Sequence, residues 1–592
     1  MKIKARLEKL RQLMKENGVA AYIIPSFDAH QSEYVAEHWK CREWISGFTG
    51  SAGTAVVTME AAGLWTDGRY YIQAEKELKD SGISLFKMGQ METPTYIDWL
   101  KQVLSVGSRV GIDGKVFSLT VFNDMEKNFK RKNIKIETEF DLINEIWEDR
   151  PQIPESKIFV HEVKYAGKSR VEKLKEVRKE MKIKGANYYL LTSLDDIAWL
   201  LNIRGADVLN NPVVTSYVLI SEEKADLFID KTKVSIDIKS ELFRDGVEVK
   251  DYEDIKTYLH KIKSEDAVLL DADKTSIGLY KAINALTSKI EDLNITTTLK
   301  AIKNTIEIEN LKKCQIRDGV AMVKFIYWLK KAINKEKVTE ISASDRVEKL
   351  RSEQELFMGT SFDSIAGYKE NAAMMHYKPM PETTATLKNE GFFLLDSGGQ
   401  YLDGTTDITR TIVLGDISDE EKTDFTLVLK GHIGLSSAKF LYGATGANLD
   451  VLARKPLWDV GIDYKCGTGH GVGFFLNVHE GPQNISQKVN TVRLEEGMII
   501  TNEPGIYKEG KHGIRTENVV LVIKGEETEF GQFMKFDTIS FCPIDLNGIN
   551  AEMLTVEEKD WLNKYHREVF DKLSPYLKEE EKAWLEKETR EI

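Results

Sequence analysis

Five side chains able to hold a metal ion, Asp396, Asp407, His470, Glu503 and Glu517, fall in separately punctuated segments between Gly391 and Glu517. Any fold for this chain must account for them. Phe392 to Leu395 is an apolar run of strand type, Gly398-Gly399 is a hairpin turn signal, and the returning segment is expected to carry Asp407 back beside Asp396. His470 lies in Gly467-Thr-Gly-His470-Gly-Val-Gly, where glycines leave the imidazole little steric competition. Glu503 precedes Pro504, which biases it toward an extended backbone. Arg515 and Glu517, two residues apart in a strand-like segment, are expected on the same face.

Taken singly, each acid reads as a strand end meeting solvent. Taken together, four carboxylates and an imidazole in one place are costly unless cations neutralise them, because like charges a few ångströms apart cannot all stay ionised. Hard oxygen donors with one imidazole and no thiolate suit two ions of the Mn²⁺, Co²⁺ or Fe²⁺ kind better than a structural zinc site. A water bridging two such ions loses a proton near neutral pH, so the reaction class is metal-assisted hydrolysis.

A chain of 592 residues exceeds what one hydrophobic core organises, and 42% hydrophobic with 30% charged residues reads as soluble and globular. The net charge of -12 argues against a nucleic-acid partner. No apolar stretch reaches membrane-spanning length, and the charged opening Met1-Lys-Ile-Lys-Ala-Arg is not followed by a signal-peptide core. Cys41, Cys314, Cys466 and Cys542 are far apart and form no Cys-x-x-Cys pair, which fits a reducing cytoplasm. Gly443-Ala-Thr-Gly-Ala lacks the Lys that a phosphate loop needs and reads as a turn.

Along the chain, residues 4–17 place Leu7, Leu10, Leu13 and Met14 on one helical face ended by Gly18, and Ala20 to Pro25 reads as a strand. Arg170-Val-Glu-Lys-Leu and Ala186 to Thr192 repeat this helix-then-strand opening, which suggests a duplication. Arg346-Val-Glu-Lys-Leu350 warns that the helical part is common composition. Prolines and charges from Glu148 to Glu155 mark a linker, and a long helical pattern starts near Glu307. The expected domains are residues 1–150, 155–303 and 304–592, the last ending in a helical extension that carries Trp561 and Trp584.

The order Asp, Asp, His, Glu, Glu, with Asn502-Glu503-Pro504-Gly505-Ile-Tyr507 and Arg515-Thr-Glu517-Asn518, resembles the dinuclear metallopeptidases of the pita-bread fold. Phe48-Thr-Gly-Ser-Ala-Gly-Thr54, Leu64-Trp-Thr-Asp-Gly-Arg-Tyr70, Asp195-Asp-Ile-Ala-Trp199, Asn371-Ala-Ala-Met-Met-His376-Tyr-Lys-Pro379 and Asn477-Val-His479-Glu-Gly-Pro482 extend the likeness over the whole chain. It is similar above all to the long, three-domain Xaa-Pro aminopeptidases. The resemblance implies an α/β (α+β) chain of two creatinase-like N-terminal domains and a pita-bread catalytic domain. It implies a metallo-aminopeptidase that releases the residue before a second-position proline, with a metal-bridging hydroxide as nucleophile. Asp396 then binds one ion, Asp407 and Glu517 bridge both, and His470 with Glu503 complete the other. Glu503 doubles as general base, His376 and His479 serve as donors to the carbonyl and oxyanion, and Tyr507 and Arg515 line the proline side. Arg515 is equally suited to orienting Asp396.

The cofactor expected from the resemblance is a pair of divalent ions, Mn²⁺ first, with Co²⁺, Fe²⁺ or Zn²⁺ as alternatives. The expected partners are peptides with proline in second position, and the expected assembly is a cytoplasmic homodimer. One departure stands out, since relatives commonly have a histidine where this chain has Cys466. Three rivals remain at this stage: a prolidase-type dipeptidase, a methionine aminopeptidase, disfavoured because about 300 residues precede the metal domain, and a catalytically inactive binding protein on the same scaffold.

Overall fold

The computed structural model describes residues 2–592, in two compact units, one running to His161 and including Lys168–Thr296, the other comprising Glu162–Gly167 and Thr297–Ile592. In the first unit, the expected opening helix spans Ile3–Glu16 and buries Leu7, Leu10 and Met14, while Leu13 is half-buried. Gly18 follows at φ +65°, a conformation in which a side chain would be strained. The strand Ala21–Pro25 comes next and takes the middle of a six-stranded sheet. Its order is Ser84–Lys87, Ala62–Thr66, Thr54–Thr58, Ala21–Pro25, Arg109–Gly111, Lys135–Glu137.

A second sheet repeats that order with Val247–Lys250, Ala225–Ile229, Ser216–Ser221, Tyr188–Leu191, Ala267–Leu270 and Ser288–Glu291. In both sheets the successive pairings run parallel, antiparallel, antiparallel, parallel, parallel. The helix Arg170–Lys184 precedes Tyr188–Leu191 as the opening helix precedes its own strand, so the duplication suggested by the sequence is present in the topology. Arg346-Val-Glu-Lys-Leu350 lies on a helix of the other unit, Glu340–Ser352, and leads into a strand of a different, three-stranded sheet. Its likeness is compositional. The two sheets share a core in which Phe122, Met125 and Phe129 meet Leu190, Leu270 and Leu279, each fully buried large side chain contributing about 1.5–3 kcal/mol.

The second unit opens with the long helix Thr305–Ala332, started by a reciprocal cap between Asn304 and Glu307. Leu311, Met322, Val323 and Ile326 are buried along it. Three antiparallel strands, Ile365–Tyr368, Phe392–Ser397 and Ile408–Val413, form one sheet. A six-stranded antiparallel sheet runs in the order Lys439–Leu441, Gly531–Thr538, Asn518–Thr528, Ile499–Asn502, Gly469–Gly471, Glu480–Ile485. The C-terminal extension is helical as expected, Val556–Leu573 and Glu579–Glu588, and its Leu562, Val569 and Leu585 join a core with Phe425 and Phe541.

One expectation is corrected. Gly398-Gly399 is not the turn of the hairpin, because Tyr401 pairs with Gly404, which puts the turn at Leu402-Asp403. Gly398 instead marks a close crossing, where a Cβ would lie 2.0 Å from the Thr406 carbonyl oxygen and 2.3 Å from Ser361 Oγ. The returning strand still brings the second carboxylate back.

Candidate metal centre

Asp396 lies opposite Thr409 in the antiparallel pair Phe392–Ser397 and Ile408–Val413. Residues 407, 409 and 411 alternate onto one face of their strand, and that face is Asp396's own. The interruption between the strands His512–Arg515 and Asn518–Thr528 lays residues 515–517 against this face. Thr409 Oγ1 donates to Glu517 Oε2 at 2.6 Å and accepts from Arg515 Nε at 3.1 Å, while Thr411 Oγ1 exchanges hydrogen bonds with the Arg515 backbone. Thr409 was missed in the sequence. The alternation Asp407, Thr409, Thr411 was the available signal.

His470 sits between two glycines for a reason different from the one expected. A Cβ on Gly469 would lie 1.9 Å from the Thr501 carbonyl oxygen, and one on Gly471 would lie 2.4 Å from that of Glu480. The glycines therefore admit the two neighbouring strands. His470 Nδ1 lies 2.9 Å from the Gly471 carbonyl, which can only accept, so Nδ1 carries the proton and Nε2 presents a lone pair. That Nε2 is 3.5 Å from Asp407 Oδ2 and 3.5 Å from Glu503 Oε1. The backbone leading to it is pinned, since Thr468 Oγ1 donates to Asp450 and Arg454 Nη2 donates to the Cys466 carbonyl at 2.8 Å.

Asp407, His470 and Glu517 each offer an atom within 4.8 Å of the others. At that separation two carboxylate charges repel by roughly 3 kcal/mol with an effective dielectric of 20, against about 5–15 kcal/mol for the stability of a whole domain. Burial first, and then Glu517, Asp396 and Glu503, push the Asp407 carboxyl well above its usual range. Burial with Asp396 and Glu503 does the same to Glu517. Glu503 is pushed up to about 7, chiefly by burial, with Arg515 opposing and Asp396 adding to the rise. Asp396 Oδ1 is buried with no hydrogen-bond partner. A buried acceptor without a hydrogen bond, set among the charges of Asp407, Glu503 and Glu517, fits divalent cations.

Around these residues, Arg515 donates from Nη2 to Asp396, from Nη1 to Tyr507 Oη at 2.7 Å and from Nε to Thr409. The ring of His479 stands edge-on to that of His470, centroids 4.3 Å apart. Glu480, beside it, is fixed by an ion pair with buried Lys303. His376 is half-buried on the loop after Lys369–Ala373, whose Ala372 carbonyl lies against Gly513 in the strand that ends at Arg515. Cys466 is half-buried and packs against an apolar cluster that Tyr507 and Ile462 also border, and burial pushes its thiol up to about 12.

Behind the centre lies Arg410, fully buried and also missed as a site residue. Its Nη1 donates to the Glu517 carbonyl at 2.6 Å, and its Nη2 donates to Asn518 Oδ1, the Cys542 carbonyl and Tyr565 Oη, each at 2.8 Å. It thereby ties the backbone of Glu517 to the C-terminal extension.

The chain matches known families along its length. Residues 6–146 and 149–307 each match a creatinase/prolidase N-terminal domain, 309–524 match metallopeptidase family M24, and 532–592 match the C-terminal region of peptidase M24. Xaa-Pro aminopeptidase 1 of Dictyostelium discoideum is 42% identical over 97% of this chain and 94% of its own. Aminopeptidase P2 of Arabidopsis thaliana is 41% identical over 97% and 86%. Among solved structures, an X-prolyl aminopeptidase from Caenorhabditis elegans, described as a cytosolic enzyme with a di-nuclear active site, shares the fold with a TM-score of 0.97 over 100% of both chains at 34% identity. An Xaa-Pro dipeptidase from Bacillus anthracis, 24% identical with a TM-score of 0.51 over 64% of this chain and 99% of its own, shares the fold alone. The chain belongs to the Xaa-Pro aminopeptidase (aminopeptidase P) family of M24 metallopeptidases.

Proposed function

We propose that the chain is an Xaa-Pro aminopeptidase, a metal-dependent hydrolase that cuts between an N-terminal residue and a following proline. The observation that carries this reading is the open, buried acid cluster around His470, in a chain that matches Xaa-Pro aminopeptidases from end to end. Asp396, Asp407, His470, Glu503 and Glu517 would hold two divalent ions, Mn²⁺ first among the candidates. When bound, such ions supply acidification of water and polarisation of the substrate carbonyl.

The remaining work falls to the chain's own groups. Glu503 takes a proton from the attacking water and passes it to the leaving nitrogen. His479, edge-on to His470, and His376 donate to the substrate carbonyl and its developing charge, where preorganised donors contribute most. Arg515 holds Asp396 in place and, with Tyr507, faces the proline side. An X-Pro bond has no N–H, so the site selects it by a ring-shaped apolar surface rather than by an acceptor.

The separate family matches support division into residues 1–150, 155–303 and 304–592. The reading extends to a homodimer in the cytoplasm, checked by sedimentation and by fractionation. No helix among the described residues is long and apolar enough to cross a membrane. The main test is chelated protein reloaded with single divalent ions and assayed on Arg-Pro-Pro, Arg-Pro and a peptide without proline. Cleavage of Arg-Pro-Pro with metal is expected, and preference for Arg-Pro over the tripeptide would favour a dipeptidase. Equal cleavage of the proline-free control would overturn the specificity.

A further inference from the structure

The loop that carries His376 is organised around a carboxylate that the reaction does not use. Glu340 is the first residue of the helix Glu340–Ser352 and is fully buried. Its Oε1 accepts from the Tyr368 backbone N at 2.8 Å and from Asn371 Nδ2 at 2.9 Å. Its Oε2 accepts from Tyr377 Oη at 2.9 Å and from the Ala385 backbone N at 2.7 Å. Tyr368 and Ala385 are the two ends of the loop, and Asn371 and Tyr377 lie within it on either side of His376.

The directions of these bonds are fixed. Asn371 Nδ2 also reaches Tyr377 Oη at 3.2 Å, so the tyrosine accepts there and its own proton points at Glu340. The Glu340 backbone N in turn donates to the Ala385 carbonyl at 3.1 Å, closing a reciprocal pair. Other polar ties of the loop, Lys369 to Glu390 and Lys378 to Asp363, involve partly or largely exposed charges and contribute little. Sterics add one more constraint. Ala372 is pressed between Gly367, where a Cβ would lie 2.8 Å from its Cα, and Gly513, where one would lie 1.8 Å from its carbonyl oxygen.

We propose that Glu340 is a positioning residue for the reaction, holding the loop 368–385 closed on itself so that His376 is fixed before substrate arrives. The proposal rests on the reading of His376 as a substrate donor. Glutamine at 340 keeps the shape but turns an amide N–H toward the Ala385 N–H, leaving a buried donor without its acceptor. The loop then loosens while Asp396, Asp407, His470, Glu503 and Glu517 are untouched.

The experiment is a cycle on the metal-loaded enzyme with Arg-Pro-Pro: wild type, Glu340→Gln, His376→Ala and the double variant, with kcat, KM and bound metal measured for each. Glu340→Gln is expected to lower kcat by on the order of 10–100-fold, with KM and metal content little changed. The double variant is expected to match His376→Ala alone, because a residue acting only through His376 has nothing left to position. A Glu340→Gln loss that persists undiminished beside His376→Ala, or a folded Glu340→Gln enzyme of wild-type kcat, overturns the proposal and leaves the donor reading standing. A His376→Ala enzyme at wild-type rate overturns the donor reading, and the proposal with it. If Glu340→Gln does not accumulate as folded protein, Tyr377→Phe, which removes one donor only, carries the same cycle with a smaller expected loss.

Discussion

Glu340 and Glu517 are buried alike, 0% and 1% exposed, in the same unit, yet their surroundings are opposite. Four donors converge on the two oxygens of Glu340. Glu517 accepts from Thr409, has the Arg515 charge and the His470 ring near it, and is set against Asp396, Glu503 and Asp407. A buried carboxylate that receives donors is part of the framework, because its desolvation is offset where it stands. Asp396, Glu503 and Glu517 each receive a donor, from Arg515, Thr501 and Thr409, but they stand against one another, so part of their charge is left to be met by a cation. Depth of burial therefore does not separate a structural acid from a candidate ligand; the balance of donors against neighbouring acids does.

If the gathered acids hold no metal, Glu517 and Glu340 do not differ in role. Asp407→Ala is expected to bring turnover to background, with bound metal falling in parallel, whereas Glu340→Gln should keep its metal. Full metal content and near-normal hydrolysis in Asp407→Ala would remove Asp407 from the ligand set.

A smaller effect is expected one step out from the ligands. His376→Ala and His479→Ala should each lower kcat on the order of 10²-fold or more, the scale of losing a transition-state donor, with both ions retained. Metal analysis decides between roles: a missing ion in His479→Ala would make that ring a ligand rather than a neighbour of His470.

Much of this candidate site is legible in the sequence because the segments that carry the proposed ligands are local. Gly-Thr-Gly-His470-Gly, Glu503-Pro504 and Arg515-Thr-Glu517 carry their strand and turn chemistry within a few residues. The opening helix and the long helix near Glu307 are legible for the same reason, through apolar spacing and caps. The hairpin turn was misplaced because Gly398-Gly399 has turn composition, while the glycine at 398 answers to Thr406 and Ser361 across the chain. Glu340 and Arg410 were invisible for a stronger reason. Glu340 reaches residues up to 45 positions away, and Arg410 reaches Tyr565, 155 positions away. An acid at a helix start and an arginine in a strand look ordinary until the fold supplies their partners.

A buried group satisfied in only one protonation state sharpens the comparison through pH. The Ile544 backbone N donates to His566 Nε2 at 3.1 Å, which requires a neutral ring, and burial, then Arg410 and Arg590, hold its pKa down to about 3. Below the ordinary value of 6.5 the unfolded chain binds a proton that the folded chain does not. Stability is therefore present above pH 6.5 and falls as pH drops toward about 3, by up to about 1.4 kcal/mol per pH unit for this group. His432, likewise depressed to about 3 by burial and Arg410, adds a second share. The difference in thermal midpoint between His566→Gln and wild type, both metal-free, should shrink steadily from pH 6.5 to 4.5. A difference that does not change with pH would mean that His566 is already protonated in the fold.

The smallest effect is expected at Cys466, where the resemblance read from the sequence would place a histidine. The thiol is near the centre, since Glu503 adds to the rise of its pKa and Arg515 opposes it, but the side chain packs against an apolar cluster. In the metal-free chain burial pushes its pKa up to about 12, which keeps the thiol protonated near neutral pH. Its backbone carbonyl, held by Arg454 Nη2, is the part that fixes the approach to His470, and no side-chain substitution removes that bond. Cys466→Ser should accordingly keep its metal and hold turnover of Arg-Pro-Pro within about tenfold of wild type, well short of the roughly 10²-fold that marks loss of a catalytic donor. Cys466→His should also be tolerated, as the resemblance read from the sequence implies. A loss beyond about 10²-fold in the serine variant with metal retained would place the sulfur in the chemistry, and the histidine variant would then show whether an imidazole can replace it.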